Sequence, residues 1–333
     1  MWVLGRGGQP RIRRADGESK TVSGVEDLPT EPFFVTEFKI GGTQKPITDD
    51  EWRALGELRA VEGVQLAGCR PTDEALKALG RCKSLQYLVL AFHDSFGDEG
   101  VKHLVELPRL AHLDLCNSGV TAASLEHLAK ITSLRSLQLG FLKNAQVTSL
   151  KPLGTLVNLE NLGLNNTVVA DAAVGDLAAL PRLRFLNIAD TRCTSAVIDE
   201  LLKLRKLCVL SLRGVHVSAE SLRKLADHPT LSVVGTYGAG IKLEEYESLR
   251  PAAADYDRAP GLAGFLCRRA GRVRLGKHRR HDVRLRRFAA LAVGRVVAGN
   301  ESEPADGGRL RQPAPLGESQ KPQRATGHQR QHD

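Results

Sequence analysis

Residues 107–139 read LPRLAHLDLCNSGVTAASLEHLAKITSLRSLQL, and this stretch holds one pattern twice. Leu110, Leu113 and Leu115 form an LxxLxL set; Leu134, Leu137 and Leu139 form the next. Working outward, the set recurs as Leu85-Leu88-Leu90, Leu159-Leu162-Leu164, Leu183-Leu186-Ile188 and Leu207-Leu210-Leu212. Val61-Val64-Leu66 and Val35-Phe38-Ile40 continue it upstream, and Leu231-Val234-Thr236 continues it downstream before it frays. From Val61 to Leu231 the first members stand 24, 25, 24, 25, 24, 24 and 24 residues apart. Chance does not keep three apolar positions in register over so many intervals, so the chain is read as a repeat array of about nine units over residues 33–250.

Each half of the unit has its own physics. The LxL part is a short strand whose alternate residues face opposite ways. Leu88 and Leu90 then point inward, and Tyr87, Val89 and Ala91 point outward. The second half reads like a short helix in VTAASLEHLAKI (120–131), VSAESLRKLADH (217–228) and PTDEALKALGRC (71–82), with Thr121, Ser218 and Thr72 placed to cap it. One unit cannot bury its leucines alone, and stacking makes a continuous core. Pro152 falls where other units have mid-helix residues, which predicts a turn or 3₁₀ piece there.

The spacing resembles the leucine-rich-repeat family, whose unit is LxxLxLxx(N/C)xL with a period of about 20–29. The unit from Gly68-Cys69 through Cys82 resembles the cysteine-containing, ribonuclease-inhibitor-like subclass, in a bacterial type of array. The resemblance implies an α/β solenoid, right-handed, with a parallel sheet on the concave side and short helices on the convex side. It implies protein–protein interaction through that sheet, no enzyme activity and no cofactor. The Asn/Cys position holds Cys69, His93, Ser118, Leu142, Thr167, Thr191 and Val215. There is no asparagine ladder, and looser turns are expected at Leu142 and Val215.

The ends read differently. Residues 1–32 suit a polar lead-in that caps the stack, with a hairpin expected between WVLGRGG (2–8) and RIRR (11–14). The chain carries a net charge of +9. Residues 1–250 hold 30 Lys+Arg and 30 Asp+Glu, whereas residues 251–333 hold 17 and 8. The excess therefore sits in the tail, and the repeats are expected to carry no basic docking surface. The tail, rich in Arg, Gly and Pro, reads as disordered. The abrupt change also fits a shift of reading frame near codon 258. Its cations Arg268, Arg269, Lys277, Arg279, Arg280, Arg284, Arg286 and Arg287 open a second reading, a nucleic-acid-binding adaptor. A residual amphipathic helix over 283–297 is a weaker membrane-touching reading.

The six cysteines contain no CxxC pair and are scattered, which points to free thiols and a cytoplasmic setting. No signal peptide or apolar run long enough to span a membrane is present. Chemistry is thinly supplied. His112 and Asp114, two apart on one strand, are the acid–base candidate, with Cys116 next in line. His93, Asp94, Asp98 and His103 match no metal-ligand spacing, and solvated polar residues explain them as well. The binding face is expected on the outward strand positions Tyr87, Val89, His112, Asp114, Gln138, Asn161, Phe185, Asn187, Arg213 and Tyr237, because aromatic residues and Arg anchor interfaces.

Overall fold

The LxL segments do form strands. The computed structural model describes residues 2–41, 47–142 and 146–240, which belong to one compact unit. Its strands are β1 (Gln9–Arg14), β2 (Ser19–Thr21), β3 (Phe33–Gly41), β4 (Gly63–Ala67), β5 (Tyr87–Val89), β6 (His112–Asp114) and β7 (Ser136–Gln138). They continue as β8 (Gln146–Val147), β9 (Asn161–Gly163), β10 (Val168–Val169), β11 (Phe185–Asn187), β12 (Val209–Ser211) and β13 (Val233–Gly235). Eleven of them make one sheet in the order β13-β12-β11-β9-β7-β6-β5-β4-β3-β1-β2, with β8 and β10 paired separately. From β3 to β13 every neighbour is parallel, and the middle leucines pair in register: Leu88 with Leu113, Leu113 with Leu137, Leu137 with Leu162.

Short helices and 3₁₀ turns return the chain on the other side, among them Asp73–Leu79, Leu125–Leu128, Val197–Leu201 and Ala219–Arg223. Helices are about 10 Å across while paired strands stand about 4.8 Å apart, so the stack bends with the sheet inside. The fold is an α/β leucine-rich-repeat solenoid. All three members of each set from Leu85 to Leu212 are buried in one continuous core. Thr236, where the pattern frays, is half-buried.

Caps and latches follow the sequence. Thr72, Thr121 and Ser218 each accept a backbone N–H at the start of their helical segment. Lys151–Thr155 is a 3₁₀ turn with Pro152 in its first turn. The carboxylate of one unit ties the next: Asp73 accepts from Gly97 N at 2.9 Å, Asp98 from Thr121 N at 2.8 Å, and Asp171 from Thr194 N at 2.8 Å. Carboxylates at helix starts suit the positive end of the helix dipole.

Two expectations need correcting. The hairpin is β1–β2, pairing Arg11 with Thr21, and not a pairing of 2–8 with 11–14. β1 also lies antiparallel on β3, so the parallel sheet ends in three antiparallel strands. The turn at Val215 is not loosened, and residues 143–145, which follow Leu142, lie outside the described residues. Val215 is buried and its N–H reaches Leu212 O at 3.0 Å. Phe141, preceding Leu142, donates to Asn165 O at 2.8 Å, as its counterparts do in neighbouring units.

Those turns share a device. The second residue past each third apolar position has a left-handed backbone: Gly68, Phe92, Asn117, Phe141, Asn166, Asp190, Gly214 and Gly238, with φ between 51° and 73°. This aims the N–H along the stack; Asn117 N, for instance, reaches Gly140 O at 2.8 Å and Asn166 N reaches Ala189 O at 2.9 Å. Gly, Asn and Asp enter this conformation cheaply, and Phe does not. The Asn/Cys position works in two ways. Cys69 and His93 reach back to the preceding unit, at Ile40 O and Leu66 O. Ser118, Thr167 and Thr191 donate instead to the carbonyl three residues earlier in their own unit.

The tail with its Arg cluster, its 283–297 segment and Cys267 lies outside the described residues.

Candidate functional site

The sheet's solvent-side face is built from the first and third residues of each three-residue strand. One column runs Tyr87, His112, Ser136, Asn161, Phe185, Val209; the next runs Val89, Asp114, Gln138, Gly163, Asn187, Ser211. Ten residues were expected here. Eight of them, Tyr87, Val89, His112, Asp114, Gln138, Asn161, Phe185 and Asn187, are half-buried members of these columns. Ser136 is closed off, with 3% of its surface exposed, so the face is interrupted at β7. Arg213 and Tyr237 stand beyond the strand ends, on the C-terminal edge. Arg213 is exposed, 3.8 Å from Asp190, and Tyr237 is 75% exposed.

The middle of the face is a linked polar patch. Gln65 Nε2 donates to the Tyr87 hydroxyl at 3.0 Å, and the Tyr87 ring packs tilted against His112, with centroids 6.0 Å apart. Burial raises the Tyr87 phenol; the Gln65 bond opposes this and the Asp114 charge adds to it. Burial, helped by Arg135, lowers His112 and keeps its ring neutral. Its Nδ1 is sealed from solvent without a hydrogen-bond partner. Burial raises Asp114, whose carboxylate accepts from Cys116 N at 2.9 Å. Asn187 makes the same bond, to Ala189 N at 3.0 Å, so this is a turn-closing role shared by the column.

His112 and Asp114 share a face, but no hydrogen bond joins them. Burial, then the Asp114 charge, pushes the Cys116 thiol up, which leaves it un-ionised. Two of the other polar candidates are held by structural bonds. His93 is buried, its Nε2 at 3.2 Å from Leu66 O, while Asp98 is held by Thr121 and Ser124 of the next unit. Among the described residues no group of three His, Cys, Asp or Glu side chains converges as a metal site would require. Among them, too, no helix is long and apolar enough to cross a membrane.

Sequence reasoning missed two residues. Phe92 and Phe141 occupy left-handed positions two units apart, on the same C-terminal edge as Tyr237, and are 72% and 44% exposed. The available signal was that six of the eight residues in that column are Gly, Asn or Asp. A bulky residue in this conformation stores on the order of 1 kcal/mol of strain.

Among solved structures, the chain is similar to internalin C2 (inlC2) from Listeria monocytogenes str. 4b F2365. The identity is 20%, the match covers 65% of this chain and 77% of that one, and the TM-score is 0.39. No family model and no curated protein matches the chain.

Proposed function

We propose that the chain is a protein-binding scaffold, not an enzyme, and that a protein partner docks on the solvent-side face of the parallel sheet. One observation carries this reading. The core positions of successive strands repeat Leu almost without variation, while the face positions beside them, from Tyr87 to Phe185, carry unlike side chains that are half-open except at Ser136 and Gly163. Such a face sets recognition apart from folding, because each strand supplies contacts that the core does not use. Tyr87 and Phe185 are its large-area anchors, and Arg213 and Tyr237 extend it at the edge. The scattered free thiols support a reducing, cytoplasmic setting. Kinship with the cysteine-containing subclass rests on the unit from Cys69, whose thiol donates to Ile40 O, through Cys82, whose thiol donates to Leu55 O.

A photo-crosslinking amino acid at Gln138 of the full chain tests the reading, with the same group at Lys102, on the helical side, as the comparison. The Gln138 site is expected to give a discrete adduct in cell extract that Tyr87→Ala and Phe185→Ala each weaken. Each substitution is expected to cost at least about 1 kcal/mol in binding to the recovered partner. Lys102→Ala and Lys224→Ala are expected to change nothing. Adducts from Lys102 alone, with the Gln138 site silent, would place docking on the helical side and end the proposal.

A further inference from the structure

The array is neutral in sum, yet the fold sorts its charge. In the seven units from β5 to β13 a five-residue run carries the chain from the helical side into the strand: residues 82–86, 107–111, 131–135, 156–160, 180–184, 204–208 and 228–232. The strand register stacks these runs along the N-terminal edge of the sheet. Together they hold seven Lys or Arg residues and a single acid, Glu160. Lys83 is taken by Glu106 at 3.0 Å, and Arg135 by Glu160 at 3.2 Å. Arg182, Arg184, Arg205 and Lys206 are exposed, and no salt bridge among the described residues engages them.

These four form one cluster. Arg182 and Lys206 each stand three residues before the paired Phe185 and Val209, so they hold equivalent places in adjacent units. Arg184 O accepts from Cys208 N and Val209 N, which places Arg184 against the strand that Arg205 and Lys206 lead into. Arg182 is anchored by Asn158 Oδ1 at 2.9 Å. Arg184 is engaged first by the Cys208 side chain and more weakly by the charge of Glu160, whose carboxylate contact is to Arg135. The expectation that the repeats carry no basic surface is therefore overturned. Residues 24 apart in sequence become neighbours only once stacked.

We propose that this edge binds an acidic segment of a protein partner. Guanidinium forks match carboxylates in a two-bond geometry, and an inserted carboxylate relieves the repulsion between Arg182 and Lys206. The half-exposed Phe185 and Val209 begin the sheet face directly beside the cluster, which suits a segment mixing acidic and apolar residues. A nucleic acid fits less well. The cluster spans only two units, about 10 Å, and is bounded by the neutral Thr230 and Ser232 on one side and by Glu160 on the other. A longer polyanion would run past Glu160 and gain few further phosphate contacts. The proposal deepens the sheet-face reading and rests on it for the path the segment takes beyond the edge.

The test measures fluorescence anisotropy on the full chain with three fluorescein-labelled probes: an octapeptide alternating Glu and Leu, its Gln/Leu counterpart, and a thymidine octamer. The Glu peptide is expected to bind at least tenfold more tightly than the Gln peptide, and more weakly as salt rises. The combined substitution R182S, R184S, R205S and K206S is expected to weaken the Glu peptide at least fivefold with an unchanged melting curve. K102S with K224S is expected to change nothing. If that fourfold variant misfolds, R182E with K206E replaces it and is expected to favour a Lys/Leu octapeptide over the Glu peptide. Unchanged Glu-peptide affinity in either variant overturns the proposal. So does a thymidine octamer that binds more tightly than the Glu peptide and is weakened by the same variant. Loss of Glu-peptide binding in the edge variant while the Gln138 crosslink fails would keep the edge and remove the sheet-face reading. The opposite pair of results would do the reverse.

Discussion

Replacing Leu137 by Ala probes the register of the whole array. Leu137 is 0% exposed at the centre of β7, paired with Leu113 on one side and Leu162 on the other. The change removes three buried carbons, about 2.5 kcal/mol of transfer free energy at roughly 0.8 kcal/mol per carbon. A cavity remains because the flanking strands cannot close in. Leu115 N is tied to Gln138 O at 2.9 Å, and Leu139 N to Gly163 O at 2.8 Å. The expected total is about 3–5 kcal/mol, or about 6–20 °C in melting temperature. Gln138, one residue further, points to the other face and is half-exposed, so Gln138→Ala should cost no more than about 0.5 kcal/mol. Urea unfolding followed by circular dichroism and by fluorescence of the buried Trp52 measures both, and coincidence of the two probes checks that one transition is seen. Equal costs for the two substitutions would mean the register is off by one residue, and the sheet-face assignment would fall with it.

Other substitutions probe the bonds between units. Asp98→Ala removes an acceptor shared by Thr121 and Ser124, and is expected to cost about 1–3 kcal/mol in the same urea assay. Burial raises the Asp98 carboxyl, but the bonds from Ser124 and Thr121 outweigh it and leave the group below its usual value. Its contribution is therefore present above the unfolded value of about 3.9 and is lost as pH falls through the lower folded value. His93 and His228 are lowered, chiefly by burial, with each ring donating to a backbone carbonyl. Nδ1 of His228 also faces the N–H groups of Thr230 and Leu231, which a protonated ring would repel. Both folded values lie below the unfolded value of about 6.5, so stability holds above it and falls as pH drops through them. Melting temperature should fall between pH 7.5 and 5.5, and a slope unchanged in His93→Asn/His228→Asn would refute this origin. Burial pushes the Cys82 and Cys193 thiols up to about 11, so neither should react with a thiol reagent at pH 8 before unfolding. Non-reducing mass spectrometry should find no disulfide among Cys69, Cys82, Cys116, Cys193 and Cys208.

The sequence by itself determined the repeat, its register and the two faces of each strand. These follow from local alternation and a spacing of 24 or 25 residues, so Leu137 and Leu162 could be placed in the core and Tyr87 and Phe185 on the face. Helix caps at Thr72, Thr121 and Ser218 were legible for the same reason, since a cap and its helix are adjacent in the chain. Other features depend on which residues stacking brings together, and composition averages these away. Ser136 is closed off although it shares a column with the half-buried Tyr87, because its neighbours decide its exposure. The left-handed column, with Phe92 and Phe141 where Gly or Asn would be cheaper, is one φ angle repeated so that the N–H groups from Phe92 to Gly214 meet the next unit. The basic edge is the clearest case. Arg182 and Lys206 read as two scattered cations in a neutral stretch, and only the parallel register, joining positions 24 residues apart, makes them one surface.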